Sequence, residues 1–437
     1  MTMKTRNEFT AIWGAFIIFT ALAASAADYT LGVYGNANMD ETIDEQDISY
    51  VKDVIRGAKP VTNLADANYD GKVNEGDIIQ IEQIISGEEK QLTVESGNPW
   101  SESAIVTINK PINTVLTRFF DSAEVLRTLD LTDRIIAVGS KDFQENSLFF
   151  PELCNLPYVA DIRYDEPDNE AVLSLKPDLF LGWSGEEREK LPGITMVHSK
   201  LYGLNCTRDL KKIGYIFDKE KEIDEYIQWH DSWINEIKRQ VGAITEDKRP
   251  EVLVGMLKSG GVFAVYNGAG GSRGMDEMMN MVPMNSLGQK FPIGDMPEVD
   301  MEWVIEQNPD IIIIASSIAG EGKTSYSGYN LDDPSLITAE RADFLNRTEL
   351  AEVSAVKNGR VYMMEYKLFT YSQSMIIGAA YLAKWIYPEL DLNPEAIHQE
   401  YLNKYQKIDF DLNEHGVFAY PPIEVEGGLA GIPDKWA

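Results

Sequence analysis

Two stretches near the amino terminus carry oxygen side chains at the spacing a hard cation demands. In the second, Asp66, Asn68, Asp70 and Asp77 occupy positions 1, 3, 5 and 12 of a twelve-residue loop. Gly71 at position 6 permits a sharp turn, and the carbonyl of Lys72 supplies position 7. Thirty residues earlier the same grid gives Asn36, Asn38, Asp40, Thr42 (through its carbonyl) and Asp47. Asp44 and Asn74, at position 9, can act through a water, while Ile43 and Val73, at position 8, are expected to pack the paired loops together. The expectation is two Ca²⁺ sites, the first weaker. There Asn36 replaces an acid, and Glu41 stands where glycine would take a left-handed turn, at ~1–2 kcal/mol.

A second set of candidates lies just past the apolar runs of the remaining chain, because ligands of open α/β sheets sit outside the carboxyl ends of the strands. Trp183 follows Leu179 to Leu181 between Gly182 and Ser184-Gly185, and its indole offers either a stiff apolar platform or a core residue. Tyr266-Asn267-Gly268-Ala269-Gly270-Gly271-Ser272-Arg273-Gly274 is a glycine-rich turn that lets backbone approach a ligand, with Arg273 to pair an anion. It is not a nucleotide loop, since Arg273 fills the third glycine's place and no phosphate-binding lysine follows. Arg118, Ser317 and the aromatic patch Tyr366, Phe369 and Tyr371 complete the set; Arg118 is equally readable as a surface charge, and part of the patch as core. Together they describe a bulky, planar or chelated ligand, anionic in part.

The elements that must position these residues are legible in outline. Each cation loop runs into a short amphipathic helix, Ile48 to Arg56 and Ile78 to Ile85. After Glu88-Glu89-Lys90, read as a charged tether, short apolar runs alternate with helical stretches: Ile135 to Val138, Leu179 to Leu181, Thr195 to Val197, Val252 to Met256 and Ile311 to Ile314. Such runs suit parallel strands covered on both faces, the pattern of an α/β protein. Two segments echo one another, each a helix, then Pro-Asp, then a buried strand: Asn169 to Leu181 and Met301 to Ile313. Proline stops the helix, and the aspartate is expected to bond its own backbone. Between them, Ile223, Tyr226, Ile227, His230, Trp233, Ile234, Ile237 and Val241 share one face of a continuous helix, long enough at 1.5 Å per residue to span two lobes.

The 437 residues suggest two or three domains, and the formal charge of −31 argues against nucleic acid and anionic membranes as partners. Met1 to Ala26 reads as a secretory signal: Lys4 and Arg6, an apolar run shorter than a bilayer span, then Ala24-Ser25-Ala26. The mature protein is expected to be soluble and secreted or at the cell surface. Cys154 and Cys206 are compatible with one disulfide or two separate thiols, and the four histidines have no ligand-like spacing.

Residues 28–90 resemble a type I dockerin, a tandem of two calcium loops each followed by a helix. The resemblance implies attachment to a cohesin, with Glu45-Gln46 and Glu75-Gly76, at positions 10 and 11, as the recognition pairs. From about Leu92 to Tyr420 the chain is similar to the substrate-binding proteins of iron-siderophore and cobalamin ABC importers. The residues that carry this are Val106-Thr107-Ile108 with Pro111, Asp133 to Gly139, Leu175 to Asp178, Asn308-Pro309-Asp310, His398 to Tyr401, Gly416-Val417 and Tyr420-Pro421. That family implies a two-lobed periplasmic-binding-protein fold joined by one long helix, a ligand held in the cleft without chemistry, and delivery to an ABC permease. Glu152 and Glu302 stand near the places where it presents carboxylates to the permease, and Trp183 matches an aromatic that cobalamin binders present to the corrin.

The expected organisation is therefore a signal at 1–26, the dockerin-like module at 28–90, lobes at 91–217 and 243–437, and the interlobe helix at 218–242. The expected function is capture of a metal chelate, iron-siderophore or corrinoid. The rival readings are a dockerin-borne hydrolase and a surface adhesion protein. The first lacks paired catalytic acids at recognisable spacing, a Gly-x-Ser-x-Gly elbow and a metal-hydrolase histidine motif.

Overall fold

The computed structural model describes residues 29–97, 103–161, 165–182, 186–258, 262–266, 274–292, 296–316, 326–370 and 373–436. The signal segment and Trp183, Arg273, Ser317 and Tyr371 lie outside them. None of the described helices is long and apolar enough to cross a membrane.

The first helices are Glu45–Ile55 and Glu75–Ser86. Each begins at an N-cap whose side chain takes backbone N–H groups of the first turn, Asp44 and Asn74. Each also closes a reciprocal box, with Asp47 and Asp77 accepting from the cap backbone. The last oxygen residue of each loop is thus also the residue that starts its helix. Behind them the strands Gln91–Ser96 and Ala104–Asn109 form an antiparallel ribbon, and Val33 bridges to Val94 at its edge.

The tether expectation fails. Glu89 is buried and paired with Lys110, which also bonds Asp218 and donates to the Tyr215 carbonyl at 2.9 Å. A buried ammonium persists only when its charge is met, so this knot holds the module against the first lobe.

In the first lobe the strand order is Ile135–Val138, Val115–Thr117, Leu179–Leu181, Met196–Val197, all parallel. The second sheet centres on Glu251–Leu257, Ile311–Ala315 and Val361–Met364, again parallel. Its flanks pair antiparallel, Phe263–Val265 on Glu251–Leu257, Glu298–Val299 on Phe263–Val265 and Ala419–Tyr420 on Val361–Met364, so the sheet is mixed, not purely parallel. These strands of two or three residues are too short to show an alternation in sequence.

The echoing segments do equivalent work. Helix Asn169–Leu175 ends on Lys176 at φ 48°, and helix Met301–Gln307 ends on Asn308 at φ 47°. The aspartates that follow do not turn back on their own backbone. Asp178 accepts from the N–H groups of Asn113 and Thr114, both at 2.9 Å, and Asp310 accepts from that of Glu251 at 3.0 Å. Each Pro-Asp therefore pins the start of the neighbouring strand, setting the register of its sheet.

The helix Glu220–Val241 connects the lobes, about 33 Å long at 1.5 Å per residue. It packs on helix Thr207–Phe217 before it and on helix Met375–Ile386 of the second sheet. Its inner face is the predicted one, with Trp229 added and Trp233 only half-buried. The lobes are braced elsewhere too. Helix Phe120–Thr128 is buried along its whole length, and Glu124 on it accepts from Gln373 N–H at 3.1 Å and from the Tyr401 hydroxyl at 2.7 Å. Gln406 reaches the Glu124 carbonyl, and Phe149 stacks on Tyr329 at 4.4 Å.

A helix packed on both lobes, with buried bonds crossing between them, resists hinge motion. Small-angle scattering should show little contraction when ligand is added; a clear drop in radius of gyration would refute this rigidity.

Candidate ligand cleft and cation loops

The parallel strands of each sheet deliver polar side chains at their carboxyl ends. Arg118 follows Val115–Thr117 and is almost wholly buried. It donates from Nη2 to the Asp165 carbonyl at 2.7 Å and lies 5.5 Å from the Phe119 ring centre. It is not an ordinary surface charge. The adjacent strand Ile135–Val138 is followed by Gly139, where a Cβ would come within 2.4 Å of the Arg118 Cα, so only glycine lets the two strand ends close. His198 follows Met196–Val197, and its N–H donates to Ser96 Oγ at 2.9 Å. Burial chiefly pushes its imidazole down to about 4, with Lys212, Arg118 and Arg188 adding to the effect and Asp209 opposing it. Lys200, two residues on, is paired with Glu277 of the second lobe, which also accepts from the N–H groups of Leu204 at 2.6 Å and Asn205 at 2.8 Å.

On the second lobe Tyr266 and Phe369 meet edge to face at 6.4 Å with no exposed surface, and Tyr366 is 4% exposed. As the structure stands, these three rings are wall and core rather than an open platform. The short helix Tyr366–Phe369 packs them onto Met375–Ile386. Between the lobes, Glu124 and Phe149 on one side and Tyr329, Glu365, Lys367 and Ser374 on the other enclose about 10 Å³, room for about one water. Lys367 crosses the seam to Asn146 Oδ1 at 2.6 Å and sits 4.3 Å from the Phe120 ring centre.

Sequence reasoning did not single out Glu124, His198, Lys200 or Lys367. A charged residue inside a fully buried helix looks like any other charge until the helix is placed. Of the two proposed surface carboxylates, Glu152 is exposed and takes a hydrogen bond from the buried Arg127 Nε at 2.7 Å. Glu302 is exposed on the first turn of its helix. Cys154 and Cys206 are separate thiols; burial pushes the Cys206 thiol well up.

The two cation loops are alike in fold and unlike in detail. Met39 and Tyr69, both at position 4, take φ 62° and 56°. At position 6 Gly71 has φ 89°, whereas Glu41 is not among the residues of positive φ, so the expected strain at Glu41 is avoided by a different path. In the second loop Asp66 accepts from Asp70 N–H at 3.1 Å and Gly71 N–H at 2.8 Å, and Asp70 Oδ1 accepts from Lys72 N–H at 2.9 Å. In the first, the Asn36 amide donates to the carbonyls of Leu31 at 2.9 Å and Asp40 at 2.6 Å. Ile43 N–H donates to the hydroxyl of Tyr215 at 2.8 Å, which ties position 8 of this loop to the first lobe. Among the described residues no three His, Cys, Asp or Glu side chains converge as a metal-binding group. A cation held here would need amide and backbone oxygens as well as carboxylates, and Asp66, Asn68, Asp70, Asp77 and the Lys72 carbonyl would be that donor set in the second loop.

Residues 119–368, more than half of the chain, match the family model described as periplasmic binding protein. The chain belongs to the periplasmic binding protein family, whose members are non-catalytic solute binders serving ABC permeases. No curated protein matches it significantly. Among solved structures it is similar to the TroA-like periplasmic binding protein FepB of Veillonella parvula, at 21% identity and a TM-score of 0.58, covering 72% of this chain and 96% of that one. It also resembles MolA of Haemophilus influenzae, solved with molybdate, at 19% identity and TM-score 0.54 over 70% and 97% of the two chains. A third likeness is CeuE of Helicobacter pylori with Ni(II) bound, at 16% and 0.52 over 72% and 96%. At these identities the likeness is one of fold.

The depressed His198 makes a signed prediction. The unfolded imidazole takes its proton near pH 6.5 and the folded one only near 4. Below 6.5 the unfolded chain binds the extra proton, so stability present above 6.5 is lost as the pH falls toward 4. His198→Gln should remove on the order of 3 kcal/mol of the acid sensitivity over that window, measured by urea unfolding at pH 7 and 4.5 beside the parent protein. Equal pH slopes in both proteins would refute it.

Proposed function

We propose that this periplasmic binding protein captures a metal chelate, an iron-siderophore or a corrinoid, for an ABC importer, and is attached to a cohesin through a calcium-loaded dockerin-like module. The observation that carries the ligand reading is the chemistry at the strand ends. In a protein of net charge −31, Arg118 and Lys367 stand beside the rings of Phe119 and Phe120, with Tyr266, Tyr366 and Phe369 buried in the second lobe. Cations embedded among aromatic faces suit a ligand with a broad apolar body and anionic groups. MolA, solved with molybdate, and CeuE, solved with Ni(II), hold metal-containing ligands on the same fold, which supports a metal-associated ligand without choosing its organic part.

Trp183, Arg273, Ser317 and Tyr371, each beside a strand end in sequence, are the further contacts we assign to this ligand, and Glu152 and Glu302 the carboxylates offered to the permease. The dockerin reading is supported by the duplicated loop and helix and by exposed Glu45, Gln46 and Glu75 at the recognition positions, with Gly76 half-buried. When bound, Ca²⁺ supplies charge neutralisation to Asp66, Asp70 and Asp77, with Asn68 and the Lys72 carbonyl completing the set.

Trp183→Ala tests the cleft. If the indole stacks on ligand, affinity for cobalamin or a ferric siderophore should fall about 10- to 100-fold while the melting temperature hardly moves. Loss of stability with affinity untouched would remove Trp183 from the site. Chelation tests the module: removing Ca²⁺ should expose the Asp66–Ser86 repeat to protease and leave the lobes intact. An unchanged digestion pattern would sink the dockerin reading.

A further inference from the structure

One buried cation links the surface of the first lobe to the seam between the lobes. Arg127 lies on helix Phe120–Thr128, almost wholly buried, and its Nε donates to Glu152 Oε1 at 2.7 Å. Among the described residues no other carboxylate comes within ion-pair distance of it. Its Nη1 donates to Gln406 Oε1 of the second lobe at 3.3 Å, and its Nη2 is buried with no hydrogen-bond partner among the described residues. The guanidinium lies 4.9 Å and 5.1 Å from the ring centres of Phe150 and Phe149. Phe149 in turn stacks on Tyr329 of the second lobe at 4.4 Å.

A buried guanidinium is stable only while its charge is met, and Glu152, which meets it, stands exposed at the surface. The other side of the same guanidinium is the contact between the lobes. Gln406 continues from it to the Glu124 carbonyl at 3.2 Å and to Thr128 Oγ1 at 3.3 Å. Two backbone amides cross the seam close by: Leu148 N–H donates to Asn330 Oδ1 at 3.3 Å, and Gln373 N–H to Glu124 Oε2 at 3.1 Å. Whatever takes Glu152 from Arg127 therefore leaves a positive charge against Gln406 and the Phe149–Tyr329 stack, where water must enter to meet it.

We propose that Arg127 and Glu152 form an interlobe latch with its handle on the surface. A cationic side chain of a docking partner that draws Glu152 off Arg127 strands the guanidinium, and its hydration loosens the lobes at Gln406 and Tyr329. The partner that fits is the permease to which Glu152 is assigned above, and the trigger rests on that reading. Arg127 acts through Glu152, as a positioning residue and not as a ligand contact.

Glu152→Gln removes the charge and keeps the shape of an exposed side chain. Amide hydrogen exchange of the full chain, without ligand, should then be about tenfold faster at Leu148 and Gln373, with the central strand Ile311–Ala315 unchanged. Parental exchange at Leu148 and Gln373, or equal acceleration in the strand, would overturn the latch. Adding Arg127→Met to that variant replaces the buried cation by an apolar side chain, so no charge is left to strand and exchange should return to the parental rate. A double variant as fast as the single one would overturn the stranded charge as the cause. If the double variant does not fold, the contrast between seam and strand in Glu152→Gln still decides the proposal. These measurements need no permease, so their failure leaves the permease reading of Glu152 standing. Unchanged binding of Glu152→Gln to membranes of the producing cell would instead overturn that reading, and the trigger with it.

Discussion

A carboxyl group inside a protein must be met by hydrogen-bond partners, and Glu124 takes donors from the other lobe. The Gln373 backbone N–H and the Tyr401 hydroxyl reach across to it, so separating the lobes would strand a buried polar group, a loss of ~1–3 kcal/mol. Much follows from that constraint. The carboxyl-terminal helix Pro394–Glu400 and the turn Tyr401–Gln406 are carried onto the first lobe, where Gln406 meets Arg127 and Thr128. The cleft is left as a shaped seam between fixed walls, suited to a ligand that arrives preassembled rather than one that must be folded around.

The same economy appears at the roots of the sheets. Asp178 and Asp310 sit after helices each ended by a residue in the left-handed conformation, Lys176 and Asn308, and each reaches sideways to the first amides of a central strand. One local device, used twice, sets where both sheets begin. It thereby sets which residues, such as Arg118, emerge at their far ends.

Much of this was legible in the sequence, for identifiable reasons. Ile135–Val138 and Leu179–Leu181 were readable to the residue, because short apolar runs between polar breaks leave few alternatives. The connecting helix was readable because its apolar stripe repeats over six turns. The antiparallel flanks of the second sheet were not, since two-residue strands carry no period. Glu41 shows a different limit: the motif demanded a left-handed turn there, and the backbone escaped it by another route. Tyr266 was read as following a strand and Phe369 as part of an aromatic patch, but only packing decides whether such a ring faces solvent or core. Glu89 looked like part of a hydrophilic linker until Lys110, twenty-one residues away, was found beside it.

The knot of Glu89, Lys110 and Asp218 also decides how the protein presents its cleft to the outside world. A module on a loose leash would tumble on its own clock, and the opening of the binding lobe would sample every direction. Here the amino-terminal helices and the cleft turn as one body. Whatever grips the small module therefore aims the large one, and the direction in which the cleft faces is set by the angle of the grip.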